Sequence, residues 1–209
     1  MCLSRNYLDH REARPDLARR EEVSVKMAPQ DREQSGPFDA AEVGVLTPYL
    51  DFGAIRLAPR PDMQIRADVD ESTKRMISLT VEVNKHRMQL QAFAATRSEG
   101  LWGQTMDALR KGIESQSGTV EERSGAMGPE LHAEVPVVQG EKTQTRKSIF
   151  IGCDGPRWFL RGVISAPQVS AEVYQELISV FRSTVVSRGE LPMPPGDLLP
   201  LKLPTGQDG

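Results

Sequence analysis

Apolar and polar residues alternate over three successive stretches in the first half of the chain. Met63, Ile65, Ala67 and Val69 fall on one side of an extended segment, with Gln64, Arg66 and Asp68 on the other. Ile77, Leu79, Val81 and Val83 repeat the pattern against Ser78, Thr80 and Glu82. Met88, Leu90, Ala92 and Ala94 repeat it again, against Gln89, Gln91 and Phe93. Neighbouring side chains of a strand point to opposite faces, so this period of two predicts an antiparallel meander with one buried face. The links Asp70–Arg75 and Asn84–Arg87 are short and polar, as hairpins require. Upstream, Phe52–Leu57 reads as a first strand, closed by Pro59 and Pro61.

The period changes after Arg97. Trp102, Met106, Leu109 and Ile113 recur at helical spacing, with Lys111 and Glu114 outside, which predicts a helix over 98–116. Ser98 is its expected N-cap, Glu99 lies in the expected first turn, and Gly118 ends it. Four more strands follow at Thr119–Ser124, Glu130–Val138, Arg146–Cys153 and Arg157–Ser165. In the second of these Leu131, Ala133, Val135 and Val137 mark the inward face. A last helix, Ser170–Thr184, gathers Val173, Leu177, Val180 and Phe181 on one side and takes Ser170 as its cap. The order ββββαββββα predicts an α+β fold, with about eight antiparallel strands packed sandwich-fashion against two amphipathic helices. It lacks the strand–helix–strand alternation of a doubly wound nucleotide-binding fold.

Composition then divides the 209 residues. Residues 1–35 are polar, carry seven basic and seven acidic residues, and lack an apolar face, so they read as a disordered charge-mixed tail. Met27 within them is an alternative start. Residues 36–188 form the single α+β domain and hold the formal charge of -3 together with the end of the chain. Residues 189–209 differ again: prolines at 192, 194, 195, 200 and 204 exclude helix, and five leucines make the segment too apolar for a linker. It is expected to run extended over an apolar groove or sheet edge; the rival reading is a proline-rich ligand for another protein. No stretch approaches a membrane span, and the N-terminus lacks the apolar core of a secretory signal, so the expected location is the cytoplasm. Net acidity and an aromatic content of 5% argue against nucleic acid as the main partner.

Chemistry is sparse. His10, His86 and His132 have no partner at metal-ligand spacing, and phosphate-loop, dinucleotide and nucleophile-elbow motifs do not occur. No metal or cofactor is expected. Cys2 and Cys153 are not expected to pair; Cys153, after Ile149-Phe150-Ile151, reads as a small core residue, its rival role being a nucleophile that needs a nearby base. The distinctive stretch is I-G-C-D-G-P-R-W-F-L-R-G, residues 151–162. Asp154-Gly155-Pro156 supplies a turn, and Gly162 permits a bulge or the close approach of a helix. Trp158 and Leu160 alternate with Phe159 and Arg161, so both faces of this strand should be covered. Asp154, Arg157, Trp158 and Arg161 are the candidate site residues, with an arginine meeting an anion or partner beside an aromatic surface. The structural alternative, which sequence favours, is a central strand whose arginine pairs with an acidic neighbour.

Several ordered motifs carry a resemblance. G-P-F-D-A-A-E-V, D-F-G-A-I-R-L, L-Q-A-F-A-A-T-R-S-E-G-L-W, G-P-E-L, D-G-P-R-W-F-L-R-G-V-I-S and L-P-M-P-P-G-D-L-L-P-L-K-L-P occur in that order over residues 36–204. Together they resemble an uncharacterised actinobacterial domain-of-unknown-function family. The resemblance implies a cytoplasmic single-domain protein in which the P-R-W-F-L-R-G strand and the proline–leucine end belong to the ordinary design. It implies no activity, cofactor or catalytic residue. The strand and helix order is also loosely similar to the PsbP and Mog-one sandwich, where antiparallel strands lie between helices.

With no catalytic constellation, the leading functional expectation is a non-enzymatic protein-binding or adaptor domain of unfixed oligomeric state. The alternative is a small-molecule-binding protein or enzyme with a pocket between sheet and helix, where Arg157 or Arg161, Asp154 and a histidine would converge.

Overall fold

Two antiparallel meanders joined side by side build the main sheet. A computed structural model describes residues 24–44, 48–139 and 142–204. The chain runs α1 (Arg32–Ser35), β1 (Phe38–Asp39), β2 (Leu50–Asp51), β3 (Ile55–Leu57), β4 (Gln64–Val69), β5 (Met76–Val83) and β6 (His86–Ala94). It continues through α2 (Trp102–Ser115), β7 (Thr119–Gly125), β8 (Gly128–Gln139), β9 (Lys142–Asp154), β10 (Trp158–Ser165), α3 (Ala171–Arg182) and β11 (Val185–Val186). The seven-stranded sheet has the order β4-β5-β6-β10-β9-β8-β7 and is antiparallel throughout. A four-stranded sheet of short pieces, β1-β11-β3-β2, is antiparallel apart from the β1–β11 pair. The fold is α+β, as the pattern predicts.

This order dictates where α2 lies. Strand β6 is central, whereas β7 is the far edge, so the connecting helix must cross one face of the sheet, touching β7, β8 and β9. The opposite face takes α3 and the small sheet. There Leu79, Val81, Met88, Leu90, Ile151, Trp158 and Leu160 meet Leu177 and Phe181 of α3 and Ile55 of β3 in the main core. Each such side chain contributes about 1.5–3 kcal/mol when fully buried. On the α2 face a smaller cluster of Trp102, Met106, Leu131 and Phe159 seats the helix.

Several local expectations change. The expected first strand Phe52–Leu57 is shortened to β3, with β2 preceding it, because Gly53 takes φ +86° and its N–H turns back to Asp51 Oδ1 at 2.7 Å. Helix α2 starts at Trp102 rather than near Ser98, so neither Ser98 as N-cap nor Glu99 in the first turn holds. Its own N-cap position, Leu101, makes no side-chain cap bond. At α3 the expected cap is in place, Ser170 Oγ accepting from Val173 N at 3.3 Å.

Both ends of the described chain lie against this body. Pairing between β5 and β6 stops at Leu79–Leu90, which leaves the last turns of β6 without a neighbour on that side. The proline–leucine segment fills the place: Leu199 N–H donates to Ala92 O at 2.9 Å and Ala94 N–H to Asp197 O at 2.8 Å. Leu199 is buried, and Lys202 N–H reaches Phe52 O at 2.9 Å. At the other end, residues from Ser24 onward, which composition groups with the tail, make specific contacts. Gly100 N–H donates to Ser24 O at 2.8 Å, and Arg32 is buried with its guanidinium bonded to Glu42 and to Pro37 O. Arg32 also lies 6.0 Å from the centroid of the Trp158 ring. Residues 1–23, with Cys2, His10 and that part of the tail expected to be disordered, and residues 205–209 lie outside the described residues.

The Arg32–Glu42 pair makes acid sensitivity testable. The Arg32 hydrogen bonds hold the Glu42 carboxyl below its ordinary 4.5. Its contribution is therefore present above pH 4.5 and is lost as pH falls through the lower folded value. Urea midpoints at pH 7 and pH 3.5 should differ less in Glu42→Gln than in the wild-type protein. Identical differences would remove this pair from the acid response.

Candidate ligand cleft between helix and sheet

Strand β10 is interior, flanked by β6 and β9, so its alternation distributes the distinctive residues to opposite faces. Trp158 points into the α3-side core, where it is fully buried and its Nε1–H donates to Asp39 Oδ2 at 2.8 Å. Gly162 on the same face allows α3 to come close: an added Cβ would sit 2.8 Å from Ile151 and 3.0 Å from Phe181. Phe159 and Arg161 point to the α2 side. Arg157, at the turn, is exposed and faces a different groove.

Asp154 is structural in its contacts. Its Oδ1 accepts from Leu101 N at 2.8 Å, and its Oδ2 accepts from Met27 N at 2.9 Å and, more weakly, from Trp102 N at 3.4 Å. It thus caps α2 from across the fold and ties down the N-terminal strap, whose Met27 O accepts from Asp154 N at 2.9 Å. Burial raises its pKa above the ordinary 3.8, against the lowering effect of these backbone bonds. Cys153 is buried in the main core, and burial pushes its thiol up to about 12, so it is a protonated core residue at neutral pH. His132 lies on the α3 face of β8, its Nε2 2.7 Å from the buried Glu130 carboxylate, which also accepts from Tyr174 Oη at 2.6 Å. No histidine therefore joins Arg161, and among the described residues no cluster of three metal-ligating side chains occurs.

What Arg161 does join is a cleft of about 950 Å³ between α2 and the sheet. Phe93, Phe150 and Phe159 contribute to its floor, Leu101 and, from α2, Leu109 and Ile113 to one wall, and Val135 and Val137 of β8 to the far part. Pro195 and Gly196 of the C-terminal segment line it too. Phe93 stacks on Phe159 at 5.5 Å, and Phe159 on Trp102 at 5.8 Å. Arg161 lies over Phe93, its Cζ 5.2 Å from the ring centroid. Its Nη2–H donates to Gln91 Oε1, and Gln91 Nε2–H donates in turn to Ile77 O at 3.1 Å, which fixes the amide with its oxygen toward the guanidinium. Arg161 Nε is buried with no partner, and burial lowers the pKa of the group.

The expectation that this arginine pairs with an acidic neighbour is corrected here. Among the described residues no carboxylate forms an ion pair with Arg161; its partner is the neutral Gln91 directly opposite on β6. A guanidinium stays ionised at any physiological pH, so this site holds a partly desolvated positive charge with no counter-charge among the described residues. Sequence reasoning missed Gln91, Phe93 and Phe150 as site residues. For Gln91 and Phe93 the signal was the outward set Gln89, Gln91 and Phe93 of one strand, where a merely solvated face needs no phenylalanine.

Comparison with known proteins adds one decisive match. A family model described as "Protein of unknown function (DUF3710)" covers residues 36–208. The chain belongs to the DUF3710 family. The match spans the sheet, both long helices and every residue of the cleft, but brings no assigned activity to them. No curated protein matches the chain. Among solved structures, a crystal structure from Bacteroides thetaiotaomicron VPI-5482 is similar over 68% of this chain and 48% of its own length, with 15% identity and a TM-score of 0.34. The chain thus spans about half the length of that protein. No helix among the described residues is long and apolar enough to cross a membrane.

Proposed function

We propose that this family member is a cytoplasmic, non-enzymatic binding protein whose cleft holds an amphiphilic anion. The apolar or aromatic body of the ligand lies under α2 against Phe93, Phe159 and Leu109, and its carboxylate meets Arg161. The observation that carries the reading is Arg161 itself: a half-buried guanidinium in an open apolar cleft, held by a neutral amide and an aromatic ring rather than by an acid. A charge in that setting is stabilised by an incoming oxyanion, with which an arginine forms two parallel hydrogen bonds. A protein partner is the second reading, carried by Leu191 and Leu203, which stay 69% and 68% exposed in the C-terminal segment.

The test uses 4-phenylbutyrate and its uncharged analogue 4-phenylbutan-1-ol, followed by chemical-shift titration. The acid is expected to bind at least about tenfold more tightly than the alcohol, the value of one charged hydrogen-bonded pair. Arg161→Gln should remove that preference. Shifts confined to surfaces away from α2 and β10, or equal affinity for both compounds, would count against the cleft.

A further inference from the structure

A second groove, independent of the cleft, gathers arginines from three separate segments. Arg97 follows β6, Arg157 sits in the β9–β10 turn, and Arg188 follows β11, yet all line one depression of about 640 Å³. The backbone explains the convergence: Ala95 N–H donates to Arg157 O at 3.0 Å, while Ala40 N–H donates to Val186 O at 2.9 Å. Two acids also line it, both with their oxygens in hydrogen bonds; the donors to Asp39 are neutral and leave its charge in place, so the groove carries an excess of two positive charges. Asp39 accepts from the Trp158 indole through Oδ2 and from Ala41 N through Oδ1. Glu42 is taken by Arg32 through both oxygens.

The arginines are not matched in this way. Among the described residues none of the three forms an ion pair. Arg97 and Arg157 are exposed and make no side-chain hydrogen bond within the described residues, whereas Arg188 is anchored on Leu191 O at 2.9 Å and Met193 O at 3.4 Å. Arg188, fixed by these bonds, and Arg97 and Arg157, unpaired among the described residues, therefore line a common depression in a protein whose formal charge is -3. Like charges brought together repel unless an anion joins them, and a concave wall concentrates the field. A lone carboxylate would leave half of that excess unneutralised. Tetrahedral oxyanions carrying two or three charges match it, and arginine forks fit their oxygens.

We infer that the Arg97–Arg157–Arg188 groove is a binding site for the diphosphate group of a small molecule. It stands apart from the α2 cleft, sharing no lining residue with it. The probe is inorganic pyrophosphate, titrated by calorimetry against the full chain at low and moderate salt, with inorganic phosphate and acetate as comparisons. Pyrophosphate should bind more tightly than phosphate, and acetate should bind weakest, with affinity falling as salt rises. Arg157→Gln and Arg97→Gln should each weaken pyrophosphate about tenfold or more, while Arg161→Gln should leave it unchanged. The two substituted side chains are exposed, and matching circular dichroism spectra would confirm that the variants fold. Pyrophosphate bound equally by the wild type and Arg157→Gln, acetate bound as tightly as pyrophosphate, or no binding at all would overturn the assignment.

Discussion

Gly152→Val is expected to destabilise the protein by about 3 kcal/mol and to distort the cleft, because the substitution overpacks a closed site. Gly152 lies on β9 directly under α2, and a Cβ there would come within 2.3 Å of the Trp102 ring. The ring has no room to turn aside. Trp102 is fully buried, and its Nε1–H donates to Pro129 O at 2.8 Å, so rotation would orphan that indole hydrogen. The helix must rise instead, pulling Leu109 and Ile113 away from the cleft wall. Denaturant unfolding with near-ultraviolet dichroism of the tryptophans would measure both effects. Gly112→Ala is the matching control for stability: Gly112 is exposed where α2 lines the cleft and its Cβ meets nothing within 4 Å, so it should be neutral or slightly stabilising. A Gly152→Val protein as stable as the wild type, with unchanged dichroism, would mean that α2 is not seated as described.

Asp154→Ala should cost a similar amount, roughly 3 kcal/mol, for a different reason: it leaves backbone N–H groups buried without an acceptor. The carboxylate serves Leu101 N and Met27 N at close range, so its loss frees the first turn of α2 and the N-terminal strap together. Relief of a desolvated charge offsets part of that cost, as the upward displacement of its pKa indicates. The sign for pH follows. A carboxyl whose folded pKa lies above its unfolded value stabilises most when protonated, and that contribution falls as pH rises from about 3.8 through the raised value. Wild-type stability should therefore show a small decline across that window that Asp154→Ala lacks. Hydrogen exchange at the Leu101 and Met27 amides would report the local release. If both amides stayed protected in Asp154→Ala, the cap would be redundant.

These two residues also show how far the chain could be read before it was folded. Alternation located β4 to β6 and the inward faces of β8, and helical spacing located α2 and α3, because each signal lies within one element and follows from its own geometry. Asp154 was legible as turn chemistry, yet its capping role was not, since Leu101 is 53 residues away and is brought near by the β6–β10 and β9–β10 pairings together. The short strands of the four-stranded sheet, two or three residues each, carry too few positions for a period to register.

The candidate site was legible in one residue only. Arg161 stood out by its place in R-W-F-L-R-G, but its neighbours depend on register: Gln91 lies opposite because β6 pairs with β10, across a helix and three strands of intervening chain. The same register sends Trp158 to the other face and leaves Arg157 at the turn, so four residues close in sequence serve a core, a cap and two separate grooves.

The central claim is that Arg161 recognises the charge of a ligand lying under α2. Its most direct measurement is the coupling between that side chain and that charge, obtained by titrating 4-phenylbutyrate and 4-phenylbutan-1-ol into wild-type and Arg161→Gln protein. The predicted result is a loss of about tenfold or more for the carboxylate and little change for the alcohol. Equal losses for both compounds, or an unchanged affinity for the carboxylate, would contradict it.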